Sequence, residues 1–198
     1  MKVLGLTGGI ASGKTAAANI LIQLGANVID TDKIAHELAK IDMPLWNAYV
    51  AHFGKDILMP DKNLDRRKIA DSIFNDPKER EWIDNTAHPL IRECVEAEFA
   101  RLKKKGERAA VLDAPLLFET NFRDLADYIW VVYVSKETQL SRLMQRDNVD
   151  KTAAEARLKA QMPLDEKKRL ADFAICNEGS LEDLKKAVKT AWTEFLAV

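Results

Sequence analysis

Eight residues near the start of the chain, Gly8-Gly9-Ile10-Ala11-Ser12-Gly13-Lys14-Thr15, restrict its fold more than any other stretch. Three glycines and a serine separate an apolar run, Val3 to Thr7, from an Ala-rich stretch, Lys14 to Leu24. Glycine weakens strand and helix alike, so packing gives no reason for it here. The apolar run reads as a buried strand, and the stretch after the loop reads as a helix closed by Gly25. A strand, a tight glycine loop and a helix in direct succession begin an α/β sheet.

The spacing Gly8-x-x-x-x-Gly13-Lys14-Thr15 matches GxxxxGK[ST], the phosphate-binding P-loop. Successive backbone N–H groups must converge on a polyphosphate, and a Cβ on the crowded residues would block that approach. The helix starting at Lys14 adds the positive end of its dipole. On this reading Lys14 reaches the β- and γ-phosphates and the Thr15 hydroxyl coordinates Mg²⁺. The N–H groups of Ser12, Gly13 and Ala16 join the cradle, and Gly9 and Ala11 complete the loop around the nucleotide. A plain Gly-rich β–α turn is the alternative, but the position after a strand and at the head of a helix favours a triphosphate site. No NKxD or DxxG string occurs, as a GTPase would need, and no LSGGQ-like signature.

Further strands are expected at Asn27 to Asp30, Ala109 to Asp113, Tyr128 to Val134 and Phe173 to Cys176. Helices are expected from Lys136 to Arg146 and from Lys151 to Gln161, with a last one opened by a Ser180–Asp183 capping pair. Lys33 to Arg101 reads as helical with breaks at Pro44, Gly54, Pro60, Pro77 and Pro89, and Leu102 to Arg108 as a solvated helix end and turn. Strands alternating with helices give an α/β fold, a P-loop core with a five-stranded, mostly parallel sheet. The stretch between the second and third strands is too long for a crossover and reads as an insertion. The core then comprises residues 1–32, 108–137 and 171–198, the helical insertion 33–107, and a helical lid 138–170.

Charge decides what such a core does not bind. Lys and Arg total 30 against 31 Asp and Glu, a net charge of -1, which argues against a protein held on nucleic acid by bulk charge. Cys94 and Cys176 are far apart and lack metal-ligand spacing, so they read as reduced intracellular thiols. No secretory h-region and no bilayer-length apolar run occurs, so a cytoplasmic location is expected.

Asp113 ends its strand beside the P-loop, where a carboxylate holds Mg²⁺ through water. The second strand ends in Asp30-Thr31-Asp32. A carboxylate at that sheet edge can orient or deprotonate an attacking hydroxyl. Asp32 also stands directly before a helical run, where it reads as an N-cap with Asp30 as its polar support. Arg142 and Arg146, four apart, share a helix face and suit phosphate oxygens. A salt-bridged helix surface is the plainer alternative for that pair. His88 precedes Pro89, which pins its backbone extended. His36 and His52 are expected on helix surfaces, and Tyr128, Trp130 and Tyr133 in the core.

Read together, LTGGIASGKT, VIDTDKIAHEL, FGKDIL, LDRRKIADSIFND, HPLIRE, LDAPLLFE, RLMQRD with RLKAQMP, and ADFAICNEG resemble the dephospho-CoA kinase family, in order and over nearly the whole length. The resemblance implies ATP-dependent phosphorylation of the ribose 3′-hydroxyl of dephospho-CoA, with ATP and Mg²⁺ as cofactors and the insertion binding the CoA moiety. Asp32 matches the acid that orients or deprotonates the hydroxyl. Arg66, His88, Arg92, Leu116 and Arg146 match the substrate side, Arg142 the lid, and Asn177 a position near the adenine. No nucleic acid, membrane or obligate protein partner is implied. Two other readings keep the same P-loop: a kinase of another small acceptor, such as a nucleoside monophosphate, and an ATPase switch acting on a protein.

Overall fold

β1 (Lys2–Gly8) is buried from its second residue onward and lies at the centre of the sheet. The computed structural model describes residues 1–197, and of Ile73, Phe74 and Asn75 the backbone alone. β1 pairs in parallel with β3 (Ala109–Asp113) on one side and β4 (Tyr128–Tyr133) on the other. β5 (Phe173–Cys176) extends the sheet in parallel beyond β4, and β2 (Val28–Asp30) lies beyond β3. The order is β2-β3-β1-β4-β5. Every residue of β3 is buried, the unbroken apolar pattern of a strand covered on both faces.

α1 (Lys14–Gln23) and α9 (Leu181–Ala197) cover one face, where Leu4, Leu6, Leu21, Trp130, Val188 and Trp192 form the main core. Trp192 stands edge-on to Trp130 with ring centres 6.4 Å apart. Trp130 is therefore core, as expected, but Tyr128 is 39% exposed. It is the first residue of β4, at the rim of the sheet, and its ring leans against Phe195. Tyr133, half-buried at the other end of β4, sends its hydroxyl to Asp165 at 2.9 Å. Ser180 and Asp183 cap α9 reciprocally, through Ser180 N to Asp183 Oδ2 at 3.0 Å and Asp183 N to Ser180 Oγ at 3.2 Å.

From β1 the chain passes through α1 to β2 on one side, while β3 connects to β4 on the other. The carboxyl ends of β1 and β3 therefore flank the point where the winding reverses, and ligands bind there in open α/β sheets.

The chain divides into two compact units, Met1–Ile29 with Leu102–Val198, and Asp30–Arg101. The first also carries α6 (Lys136–Asp147), α7 (Lys151–Lys159) and α8 (Leu164–Leu170). α8 has no apolar period in its sequence, LDEKKRL, to mark it as a separate helix within the helical stretch expected over 138–170. The second unit holds α2 (Thr31–Leu38), α3 (Pro44–Phe53), α4 (Arg66–Asn75) and most of α5 (Pro77–Lys104).

The expected break at Pro89 does not occur, because α5 runs straight through it. Proline removes one N–H and crowds the carbonyl four residues back, that of Asn85. Both Asn85 and Pro89 face solvent, so water can serve that carbonyl. The opposite face carries Ala87, Ile91 and Val95, all buried and spaced by four, and it anchors the helix on both sides of the proline. His88 is consequently helical and not extended. Among the described residues no helix is long and apolar enough to cross a membrane.

Candidate active site

The loop after β1 adopts backbone conformations that its glycines permit. Gly13 caps α1 in the left-handed region at φ 96°, and Ala11 also takes a positive φ of 60°. Ala11 is held there at a cost of about 1–2 kcal/mol. Of the amides expected to face a ligand, that of Ser12 instead closes a turn onto the Gly9 carbonyl at 3.0 Å. Those of Gly13 and Ala16 lie at the helix start, where no intrahelical acceptor exists. Among the described residues the Ser12 hydroxyl is buried and finds no hydrogen-bond partner. Thr15 is exposed on the first turn.

Parallel pairing sets Leu6 beside Asp113, and the Ala114 amide donates to the Leu6 carbonyl at 3.0 Å. That register brings the Asp113 carboxylate to Lys14, with Nζ to Oδ1 at 2.5 Å. Asp113 is 3% exposed, so the lysine neutralises a buried acid at the mouth of the crevice.

The loop is braced by side chains distant in sequence. Asn177, at the end of β5, donates from Nδ2 to the Ser12 carbonyl at 2.8 Å. Gln139 of α6 donates to the Ile10 carbonyl at 2.7 Å, and Gln161 accepts from the Ile10 amide at 3.1 Å. A Cβ on Gly9 would collide with Gln139 Nε2, and one on Gly13 with Asn177 Nδ2. The glycines thus make room for the protein's own braces before any phosphate arrives. Asn177, expected near the adenine, has its amide nitrogen on the loop backbone.

Around the lid arginines the contacts divide. Arg142 donates from Nη2 to the Asn177 carbonyl at 3.0 Å. Beside it, Glu178 accepts from the Ser135 amide and from the Thr138 hydroxyl. These bonds, with the Arg142 charge, hold the Glu178 carboxyl below its usual range. Arg146 grips Asp147 through Nε at 2.7 Å and Nη2 at 3.2 Å, and Arg157 binds the same carboxylate. The ion-paired surface weighed as the alternative is thus the state of Arg146, but Arg142 lies against the loop brace.

The segment after β3 holds Leu116, exposed, between buried Ala114 and Leu117. Thr7 of β1 donates to the Pro115 carbonyl at 3.1 Å. Lys167 of α8, which sequence reasoning missed, donates to the same carbonyl at 2.7 Å and pairs with Glu119 at 2.8 Å. Its residue is fully buried, and burial lowers the ammonium pKa against the opposing pull of Glu119. A lysine in the run Asp165-Glu166-Lys167-Lys168-Arg169 gives no sequence sign of burial.

In the second unit Asp30, not Asp32, is the N-cap of α2. Its Oδ1 accepts from the amides of Asp32 at 3.0 Å and Lys33 at 3.1 Å. The cap falls two residues early because β2 ends on Asp30 in extended backbone and Thr31 is already helical. Asp32 is exposed on the first turn. Arg66, at the start of α4, hydrogen-bonds His36 of α2, and both line a cavity of about 900 Å³ with Lys40, Asn63 and Arg67. His88 and Arg92 lie four apart on α5, His88 3.8 Å from Asp84 and Arg92 2.8 Å from Glu96. His52 stacks on Trp82 at 3.7 Å.

A P-loop at the switch point of a parallel sheet, a buried acid on its lysine and arginines on the following helices define a P-loop kinase. Solved structures agree: a dephospho-CoA kinase from Campylobacter jejuni superposes with TM-score 0.74 at 32% identity, covering 100% of this chain and 98% of that one. A protein from Thermus thermophilus gives 0.82 at 30% identity, covering 98% and 97%. Shikimate kinase from Acinetobacter baumannii, at 12% identity and TM-score 0.55 over 100% of this chain and 94% of its own, shares the fold. The dephospho-CoA kinase family model matches residues 2–183. The dephospho-CoA kinase of Geobacter sulfurreducens is 41% identical over 98% of both chains, and that of Listeria innocua 40% identical over 98% of both. The chain belongs to the dephospho-CoA kinase family.

Proposed function

We propose that the chain transfers the γ-phosphoryl group of ATP to the ribose 3′-hydroxyl of dephospho-CoA, giving coenzyme A, with Asp32 orienting the hydroxyl and accepting its proton. The observation that carries the nucleotide half is the Lys14–Asp113 pair at the loop, 2.5 Å apart and nearly buried. On binding, the triphosphate draws Lys14 from Asp113 onto the β- and γ-phosphates. Asp113 and Thr15 offer a carboxylate and a hydroxyl, hard oxygen donors of the kind Mg²⁺ takes, and would hold the ion. Held there, Mg²⁺ would supply positive charge to the triphosphate.

Phosphoryl transfer needs positioning and positive charge more than a strong base. Lys14, the helix-start amides and Arg142 supply the charge, and Arg146 joins by exchanging Asp147 for phosphate. Helices α6 to α8 act as a lid that excludes water. The 900 Å³ cavity with Arg66, Arg67, Lys40 and His36 suits an anionic, extended acceptor and supports assignment of the second unit to dephospho-CoA. His88, Arg92 and Leu116 complete the substrate side on this reading. The enzyme works in the cytoplasm without nucleic acid, membrane or an obligate protein partner, in keeping with its net charge of -1.

Asp32→Asn tests the acceptor half. Because Asp30 holds the cap, the substitution leaves α2 intact and removes only the charge and proton acceptor. Single-turnover transfer should fall by roughly 10²–10⁴-fold with ATP affinity kept. Unimpaired transfer would remove Asp32 from the mechanism. A panel of acceptors in the same assay separates dephospho-CoA from a nucleoside monophosphate.

A further inference from the structure

Lys167 is buried without exposure, carries a charge, and has no part in the mechanism above. Its ammonium binds the Pro115 carbonyl, which also accepts from Thr7 on the strand leading into the P-loop. Its other partner, Glu119, accepts from the Met162 amide at 3.0 Å. Met162 follows Gln161, whose side chain holds the Ile10 amide at the loop apex. One lysine therefore closes a polar circuit through the end of β1, the segment after Asp113, the junction of α7 and α8, and the P-loop itself.

Stability alone gives little reason for such a residue. Desolvating an ion pair offsets most of its attraction, and apolar replacements of the whole pair are often neutral or stabilising. What the pair does achieve is direction: two donors from different elements fix one carbonyl, and one carboxylate fixes a junction between helices.

We propose that Lys167 is a positioning residue for phosphoryl transfer, setting the 114–119 segment and the α7–α8 junction against the P-loop. It rests on the reading that the loop and this segment handle the two reactants. Neither Lys167 nor Glu119 need touch a ligand. The effect falls on the alignment of reacting atoms, to which rate is steeply sensitive.

The test compares Lys167→Met with the double variant Lys167→Met/Glu119→Gln, each as the full chain. The single variant leaves Glu119 without its cation and is expected to melt lower. The double variant removes both charges while keeping shape and an acceptor for Met162, and should melt near wild type. In both, kcat with dephospho-CoA should fall by about 10- to 100-fold, the scale of a small misplacement, while KM for ATP changes by less than about threefold. Recovery of kcat in parallel with melting temperature in the double variant would make the lysine merely structural and overturn the proposal. So would wild-type kcat in the single variant. Wild-type transfer to dephospho-CoA, measured alongside, carries the underlying reading, and the variant ratio alone carries the role of Lys167.

Discussion

Replacing Asn177 by alanine separates a brace on the P-loop from a contact with the adenine. The side chain is 8% exposed and donates to the Ser12 carbonyl at 2.8 Å. The bonds to the Asn177 backbone, from its amide to Tyr133 and from Arg142 to its carbonyl, survive the substitution. What is lost is one buried hydrogen bond, leaving the Ser12 carbonyl without this donor. Orphaning a buried acceptor costs about 1–3 kcal/mol. At about 2–4 °C per kcal/mol for a chain of this length, Tm should fall by roughly 2–12 °C. Asn177→Asp keeps the shape but turns an acceptor towards the carbonyl, so it should lose at least as much. Because Gly13 packs directly under the amide, the loosened loop should bind ATP, GTP and inorganic tripolyphosphate more weakly in equal proportion. Thermal melts and calorimetric titration of the three ligands read both effects. An unchanged Tm with a loss confined to adenine nucleotides would refute the brace and restore the residue to the base.

Lys14→Ala should lower turnover by on the order of 10²-fold, as for other electrostatic stabilisers. It should also destabilise the unliganded protein, because Asp113 is buried and loses its cation; Asp113→Asn in the same chain should recover Tm without recovering activity, and equal recovery of both would contradict the assignment. Arg142→Ala should reduce kcat beyond Arg146→Ala, since Arg142 already lies against the Asn177 brace and Arg146 must first leave Asp147 to reach phosphate; a larger loss at Arg146 in steady-state assays would contradict that order. Glu178 has a folded-state pKa below its unfolded one, so the fold binds fewer protons there, and its contribution is present above the unfolded pKa and lost as pH falls through the folded value. The advantage of wild type over Glu178→Gln in thermal melts should therefore shrink on acidification, and a pH-independent gap would exclude the carboxylate as its source.

The P-loop, the five strands, the capping pair at Ser180 and Asp183 and the acid at the end of β3 were legible in the sequence. Each is a local matter. A glycine pattern sets loop dihedrals over a few residues, apolar runs mark buried strands, and a cap needs only side chains three residues apart. Legibility already faltered over a two-residue offset between Asp30 and Asp32, because which acid caps depends on where the strand stops. It failed at Pro89, whose local rule forbids a helix interior. Burial of Ala87, Ile91 and Val95 overrode that rule, and burial is a property of the assembled fold. The order of the strands, and with it the crevice between β1 and β3, came from pairing alone. So did the braces on the loop: Gln139, Gln161 and Asn177 reach Ile10 and Ser12 across 129, 151 and 165 residues. No periodicity encodes a hydrogen bond of that span. Lys167 shows the limit most plainly, for in LDEKKRL it is one cation among three, and only the packing of α8 against β4 takes it, and not Lys168 or Arg169, out of water.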